Sequence, residues 1–238
     1  MSKPAVVCLM AHPDDVTFLM GGTALLLKGK YNLHVVVASR GERGYAWEGK
    51  GLPPPNPAVA ATRSAEEAAA CAMLGAELTF LEEPDSEIFA HRAVCDRVAE
   101  MLKRLKPAAL FTHWPCAKPD HASVWNIAWK ALHLADLFWV TETYMGLMAG
   151  DDRCVPKPDV YVNIGEVFEQ KLKMIALHKS HAEEWTKILT AYNGMLGKQS
   201  WCPYAEAFTT GLPPVGVRWK RRAGSILMDL GPKIDSAP

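Results

Sequence analysis

Apolar residues fall in short blocks along the first half of the chain, and the first block is the most telling. Val6-Val7-Cys8-Leu9-Met10 is an unbroken apolar run that ends abruptly in His12-Pro13-Asp14-Asp15. A run of this length without polar alternation predicts a strand buried on both faces, as in parallel sheets covered by helices. An apolar helix is expected from about Val16 to Lys28, and a second buried strand over Leu33–Ser39, centred on Val35-Val36-Val37. A helix from about Val59 to Leu74 is stopped by Gly75, and a strand resumes over Glu77–Leu81. A third helix, about Phe89 to Leu105, leads to the strand Ala108–Thr112, which ends at His113. After His121, Trp125, Ala128, Trp129 and Leu132 recur at helical spacing and predict one core-facing stripe. This β-α-β-α alternation predicts a parallel sheet with right-handed crossovers, in an α/β fold of a single domain spanning 1–238.

The second half is less regular. Strands are expected over Trp139–Leu147 and Val160–Ile164, helices over Val167 to about His178 and Glu183 to Met195, and a late strand at Gly224–Met228. The stretch Ala149 to Pro158 reads as an exposed connection. The glycine- and proline-rich segment Gly41 to Pro57 is long for a structureless loop, which makes it a lid or substrate-loop candidate beside the alternative of a surface insertion.

Composition narrows the class. Hydrophobic residues make up 49% and charged residues 22%, ordinary for a globular protein. Lys+Arg and Asp+Glu are 26 each, so no general affinity for nucleic acid or an anionic membrane is expected. No apolar run reaches the roughly 18 residues of a membrane span. Met1-Ser2-Lys3-Pro4 leads directly into the first strand, without room for a signal peptide. The six cysteines form no CxxC pair and read as reduced, mostly buried thiols, so a cytoplasmic location is expected. Eight tryptophans are material for either a core or a homo-oligomer interface.

Ligands gather beyond the carboxyl ends of parallel strands, which is where His12–Asp15 and the segment His113 to His121 both fall. His12 and Asp15 stand three apart where a strand turns into a helix, and Pro13 restricts the backbone between them. A turn with helix-capping carboxylates explains those four residues by themselves equally well. A second strand end carrying His121 favours a cation, since a catalytic zinc takes three protein ligands and keeps one position for water. Asp14 is then the surplus carboxylate, suited to accept a proton from a metal-bound water. Cys116 as a fourth ligand would close the position that catalysis needs. His34, His91 and His133 lack such company and read as structural or surface histidines. The Gly21-Gly22 pair lacks the surrounding pattern of a phosphate-binding turn.

Ala11-His12-Pro13-Asp14-Asp15, followed by Pro119-Asp120-His121, resembles the LmbE-like, or PIG-L, family of zinc-dependent N-acetylglucosamine deacetylases. Ser39-Arg40-Gly41-Glu42-Arg43-Gly44, Arg63-Ser64-Ala65-Glu66 through Leu74-Gly75, Lys173 to His181, and Tyr204-Ala205-Glu206-Ala207-Phe208 extend the resemblance along nearly the whole chain. The resemblance implies a Rossmann-like, mostly parallel sheet, one Zn2+ held by His12, Asp15 and His121, Asp14 as general base, and Arg63 as a residue that holds the sugar. It further implies a small N-acylated amino-sugar conjugate as substrate, hydrolysed at its amide.

Three positions depart from the family pattern. Lys118 stands where His-Pro-Asp-His would begin, Val16 replaces a frequent acidic residue, and His181 replaces a frequent glutamine. Lys118 can supply positive charge in place of the missing imidazole, and His113 is a candidate for the same place from its strand end. Asp85, after another strand end, is a candidate for a sugar hydroxyl or for capping the next helix. Arg63, Glu66 and Glu67, at i, i+3 and i+4, also fit a solvated salt-bridged face. Two other classes compete with the hydrolase: a metal-containing sugar-conjugate binder of the same fold, and a two-metal phosphoester hydrolase.

Overall fold

The computed structural model describes residues 3–44, 51–115, 118–147, 158–180, 182–210, 226–227 and 230. Five parallel strands alternate with helices: β1 (Ala5–Met10), α1 (Asp15–Leu27), β2 (Asn32–Val37), α2 (Pro57–Leu74), β3 (Glu77–Phe80), α3 (Arg92–Leu105), β4 (Ala109–His113), α4 (Pro119–Leu134) and β5 (Glu142–Gly146). Then come β6 (Val160–Asn163), a single 3-10 turn at Gly165–Val167, α5 (Phe168–Ile175), α6 (Ala182–Gln199) and β7 (Ala205–Thr210). The sheet order is β3-β2-β1-β4-β5-β7-β6, and β7 runs antiparallel to both of its neighbours.

The unbroken apolar run of β1 follows from its central place. Val6, Cys8 and Met10 pack on one face with α1, α2 and α5, while Val7, Leu9 and Ala11 pack on the other with α3 and α4. Side chains alternate faces, yet both faces are core, so no position calls for a polar residue.

Local rules account for several boundaries. Asn56 caps α2 by accepting from Ala58 N–H at 2.9 Å, Pro57 opens the helix, and Gly75 ends it in the left-handed conformation (φ 63°). The third helix begins at Arg92 rather than Phe89, because His91 caps it by accepting from Val94 N–H. Trp139 and Val140 lie in a turn, so β5 is shorter than the apolar stretch before it suggests. On α4 the buried stripe is Val124, Ile127, Ala128, Ala131 and Leu132; Trp125 and Trp129 sit half-buried beside it, stacked on each other at 5.2 Å.

The first helix is broken. Met20 leaves helical geometry (φ −145°, ψ 20°), and a second helical segment starts at Gly21-Gly22. Its exposed N–H groups are taken by a buried carboxylate from the last strand: Glu206 accepts from Gly22 N–H at 2.8 Å, Thr23 N–H at 2.7 Å and the Thr23 hydroxyl at 2.6 Å. Buried Lys171 donates to Glu206 at 2.7 Å, to Phe18 O and to Asn193 Oδ1. Gly21 and Gly22 are thus packing glycines, since a Cβ on Gly22 would lie 2.7 Å from Cβ of Ile164. The expected strand at Gly224–Met228 falls largely outside the described residues, and Ile226 and Leu227 are in a turn. The expected connection Ala149–Pro158 lies almost wholly outside them too.

Candidate functional site

The carboxyl ends of β1 and β4 and the N-terminus of α4 meet at one rim of the sheet. Pairing of Cys8 with Phe111 sets β1 and β4 in register, so the residues that follow each strand become neighbours. One potential ligand atom from each of His12, Asp15 and His121 lies within 4.8 Å of the other two. Asp15 and His121 are buried, and the His12 side chain, 21% exposed, faces the opening.

His12 is aimed by carboxylates. Its Nε2 lies 3.2 Å from Asp120 Oδ2 and 3.3 Å from Asp85 Oδ1, which leaves Nδ1 facing Asp15 Oδ2 at 3.6 Å. Asp120 is fixed in turn by Ser86 N–H at 2.8 Å, and Asp85 by Arg43 N–H at 3.0 Å. A carboxylate behind an imidazole is the usual support of a metal-binding histidine. Burial alone would lower the pKa of His12, but hydrogen bonds to Asp120, Asp15 and Asp85 hold it well above the ordinary value. This pocket is rich in negative charge, and in the metal-free protein a proton on His12 offsets part of it.

Asp15 is buried, which opposes ionisation, but His113 and His121 beside it hold its carboxyl well below the usual range. It also accepts from the His12 backbone N–H at 2.7 Å. Burial, and then the neighbouring His113, push His121 well below its ordinary pKa. A neutral imidazole with Nε2 turned toward Asp15 Oδ1 at 3.6 Å is a competent ligand. An ionised carboxylate with two imidazoles able to present lone pairs fits a divalent cation and leaves room for water.

The other expected site residues fall as follows. Asp14 is buried in a left-handed conformation (φ 99°, ψ −27°), its N–H bonded to Glu67 Oε2 at 2.7 Å. Arg63, expected at the sugar, is 3% exposed and turned inward: it donates to Pro13 O at 2.9 Å, to Asp14 Oδ2 at 3.2 Å and to Gly41 O at 3.2 Å. Gly41 sits so close that a Cβ would meet Arg63 Nη1 at 2.4 Å. Asp85 is also buried and, instead of capping α3, supports His12.

His113, the candidate replacement for the missing imidazole, is 1% exposed. Its Nε2 accepts from Ala11 N–H at 3.0 Å and lies 3.2 Å from Asp15, and its ring stacks on His121 at 3.9 Å. That geometry turns the buried ring toward Asp15 and His121, two of the candidate ligands. Lys118 is exposed at the N-cap of α4, on the rim beside His121. Cys116 and His181 lie outside the described residues.

Asp120 and Arg43 were given no role of their own, and Glu67 only a place beside Arg63 and Glu66 on one helix face. The triad Arg63, Glu66 and Glu67 is buried, not a solvated face. Glu66 accepts from the Ser180 hydroxyl at 3.1 Å, and Glu67 is buried behind Asp14. The signal was the register of α2, because Arg63 and Glu67 fall on the same stripe as buried Ala70, Cys71 and Leu74. Arg43 fastens the described ends of the Gly41–Pro57 segment by donating to Asp85 O and Pro53 O and pairing with Glu87; residues 45–50 lie outside the described residues.

Known proteins bear on this geometry. The chain is 27% identical over 199 residues to 4-oxalmesaconate hydratase of Pseudomonas putida, covering 77% of this chain and 76% of that protein. It is 26% identical over 222 residues to diacetylchitobiose deacetylase of Thermococcus kodakarensis, covering 84% and 80%. The fold superposes on N,N'-diacetylchitobiose deacetylase of Pyrococcus horikoshii with a TM-score of 0.73 at 23% identity, over 87% of this chain and 83% of that one. The model of the GlcNAc-PI de-N-acetylase family matches residues 7–132, a span that holds most of β1, all of β4 and every residue of the rim. The chain therefore belongs to the PIG-L family, whose relatives include both deacetylases and a hydratase.

Proposed function

We propose that this protein is a zinc-dependent hydrolase that removes the acyl group from a small N-acylated amino-sugar conjugate. The observation that carries the reading is the convergence of His12, Asp15 and His121, with Asp14 next in the chain to Asp15. Family membership and a deacetylase relative that covers most of the chain support it.

Held by His12, Asp15 and His121, zinc would polarise the acyl carbonyl and lower the pKa of a coordinated water to about 7. Asp14 takes the proton from the attacking water and returns it to the departing nitrogen. Arg63 fixes the Asp14 carboxylate through its guanidinium. Asp120 and Asp85 hold His12 in its ligating orientation, and His113 backs Asp15 and His121. Lys118, exposed on the rim, adds positive charge near the acyl oxygen as negative charge builds there. With Arg63 and Asp85 turned inward, substrate contacts fall to the rim around His12.

The hydratase relative favours a second reading, in which the same site adds water to an unsaturated oxo acid. Purified, zinc-loaded protein assayed with N,N'-diacetylchitobiose, N-acetylglucosamine conjugates and 4-oxalmesaconate separates the readings. Acetate release supports the first and hydration without acetate release supports the second. Tight binding of a conjugate without turnover would indicate a binding protein. Asp14→Asn is expected to keep one zinc per chain and lose roughly 100-fold or more of the activity. Undiminished turnover would remove Asp14 from its role.

A further inference from the structure

The proposed reaction leaves one buried carboxylate near the site without a task. Glu67 is 0% exposed, on the face of α2 that packs in one core cluster with β1, and the Cys71 thiol lies 3.8 Å from its Oε1. Leu or Met would fill such a place without desolvating a carboxyl group. What Glu67 does there is accept the Asp14 N–H at 2.7 Å.

The Pro13 carbonyl and the Asp14 N–H belong to one peptide group. Arg63, one helical turn before Glu67 on the same face, donates to that carbonyl at 2.9 Å. The two side chains therefore grip a single peptide plane at its opposite ends, one by its acceptor and the other by its donor. The orientation of that plane helps set φ of Asp14, which at 99° lies where side chains other than glycine rarely settle. Such a conformation persists only when its surroundings over-determine it. Behind the clamp, His178 Nε2 lies 4.0 Å from Glu67 Oε2 and 3.0 Å from Thr17 Oγ1, tying it to α1.

We propose that Glu67 is a positioning residue for the general base: with Arg63 it clamps the Pro13–Asp14 peptide and so holds Asp14 in its working conformation. This rests on the reading of Asp14 as the base. A buried polar group that merely satisfies the core would tolerate an apolar isostere with no effect on Asp14. Gln keeps a side-chain oxygen that accepts the Asp14 N–H, whereas Met of similar length removes it.

The test compares Glu67→Gln with Glu67→Met in zinc-loaded protein, by kinetics on whichever acetamide the parent hydrolyses and by crystal structures. Glu67→Gln keeps an acceptor for the Asp14 N–H and is expected to stay within threefold of the parent in kcat, with φ of Asp14 unchanged. Glu67→Met is expected to keep its zinc and a KM within about twofold, lose about tenfold or more in kcat, and move Asp14 out of the left-handed region. If Glu67→Met does not fold, Arg63→Lys, which loosens the other jaw, is read in the same way. An Asp14 φ unchanged in the apolar variant overturns the proposal, as does a shifted φ with unchanged kcat. A parent inactive on every acetamide sinks the deacetylase reading instead, and the φ comparison alone then decides the clamp.

Discussion

Among the described residues, five of the six non-glycine residues with positive φ lie between 45° and 64°, the ordinary left-handed well, whereas Asp14 stands apart at 99°. It is also the residue on which Arg63 and Glu67 converge, so the unusual backbone and the unusual burial have one explanation. A consequence appears in the pH dependence of stability. Burial raises the Glu67 pKa from 4.5 to about 8 in the folded metal-free protein, with Asp14 and Asp15 adding to the rise and Arg63 and the Asp14 N–H opposing it. His178 and Cys71 also face it. A raised folded pKa gives stability that is fully present below pH 4.5 and lost as pH rises through 8, since the unfolded chain releases its proton earlier. Melting of metal-free parent and Glu67→Gln should therefore diverge in favour of the Gln variant from pH 5 to 8.5; parallel curves would contradict the shift. At this scale the convergence of His12, Asp15 and His121 was legible because a second histidine-bearing segment follows another strand end, which helix capping at the first does not call for. Glu67 was not, since i, i+3, i+4 charges on a helix look alike whether they face water or core.

Elements were legible where one chemistry dominated them. The uninterrupted apolar strand β1, the apolar runs Val35–Val37 of β2 and Ala109–Phe111 of β4, and the capped helix α2 follow from local rules. β7 escaped notice because Ala205-Glu206-Ala207 has small side chains and a carboxylate where a buried strand usually has branched apolar residues. That carboxylate makes sense only once the broken helix α1 lies against it. The same break explains the paired glycines and gives a sharp contrast between them. A Cβ at Gly21 would meet Met174 Cε, the movable end of a side chain, at 2.6 Å, whereas one at Gly22 would meet the branched Ile164 at its Cβ. Gly22→Ala is expected to destabilise by about 1–3 kcal/mol in urea unfolding, and Gly21→Ala by clearly less. Equal losses would show that the packing around α1 yields more than these contacts allow.

At the scale of the molecule, the parallel order β2-β1-β4 brings two distant strand ends to one rim, and the candidate cation site is a product of that topology. The unfolded chain holds His12 and Asp15 together but not His121, so it offers no comparable site. Zinc at a hundred times its dissociation constant should therefore stabilise the native state by about 2.7 kcal/mol, and chelation should lower the melting temperature accordingly. A melting temperature indifferent to chelator would mean that the three residues hold no metal. The parallel half of the architecture was legible from the alternation of patterns. Insertion of β7 between β5 and β6 was not, because an antiparallel strand placed out of chain order leaves no local trace. This placement has a consequence for synthesis. A ribosome delivers β1 and the first turn of α1 long before the carboxylate that caps the second segment of α1, which belongs to Glu206, 184 residues after Gly22. The helix that carries Asp15 is thus finished by a strand made much later than the helix itself. Nascent chains cut short before residue 206 should leave that helix incomplete and be rapidly proteolysed.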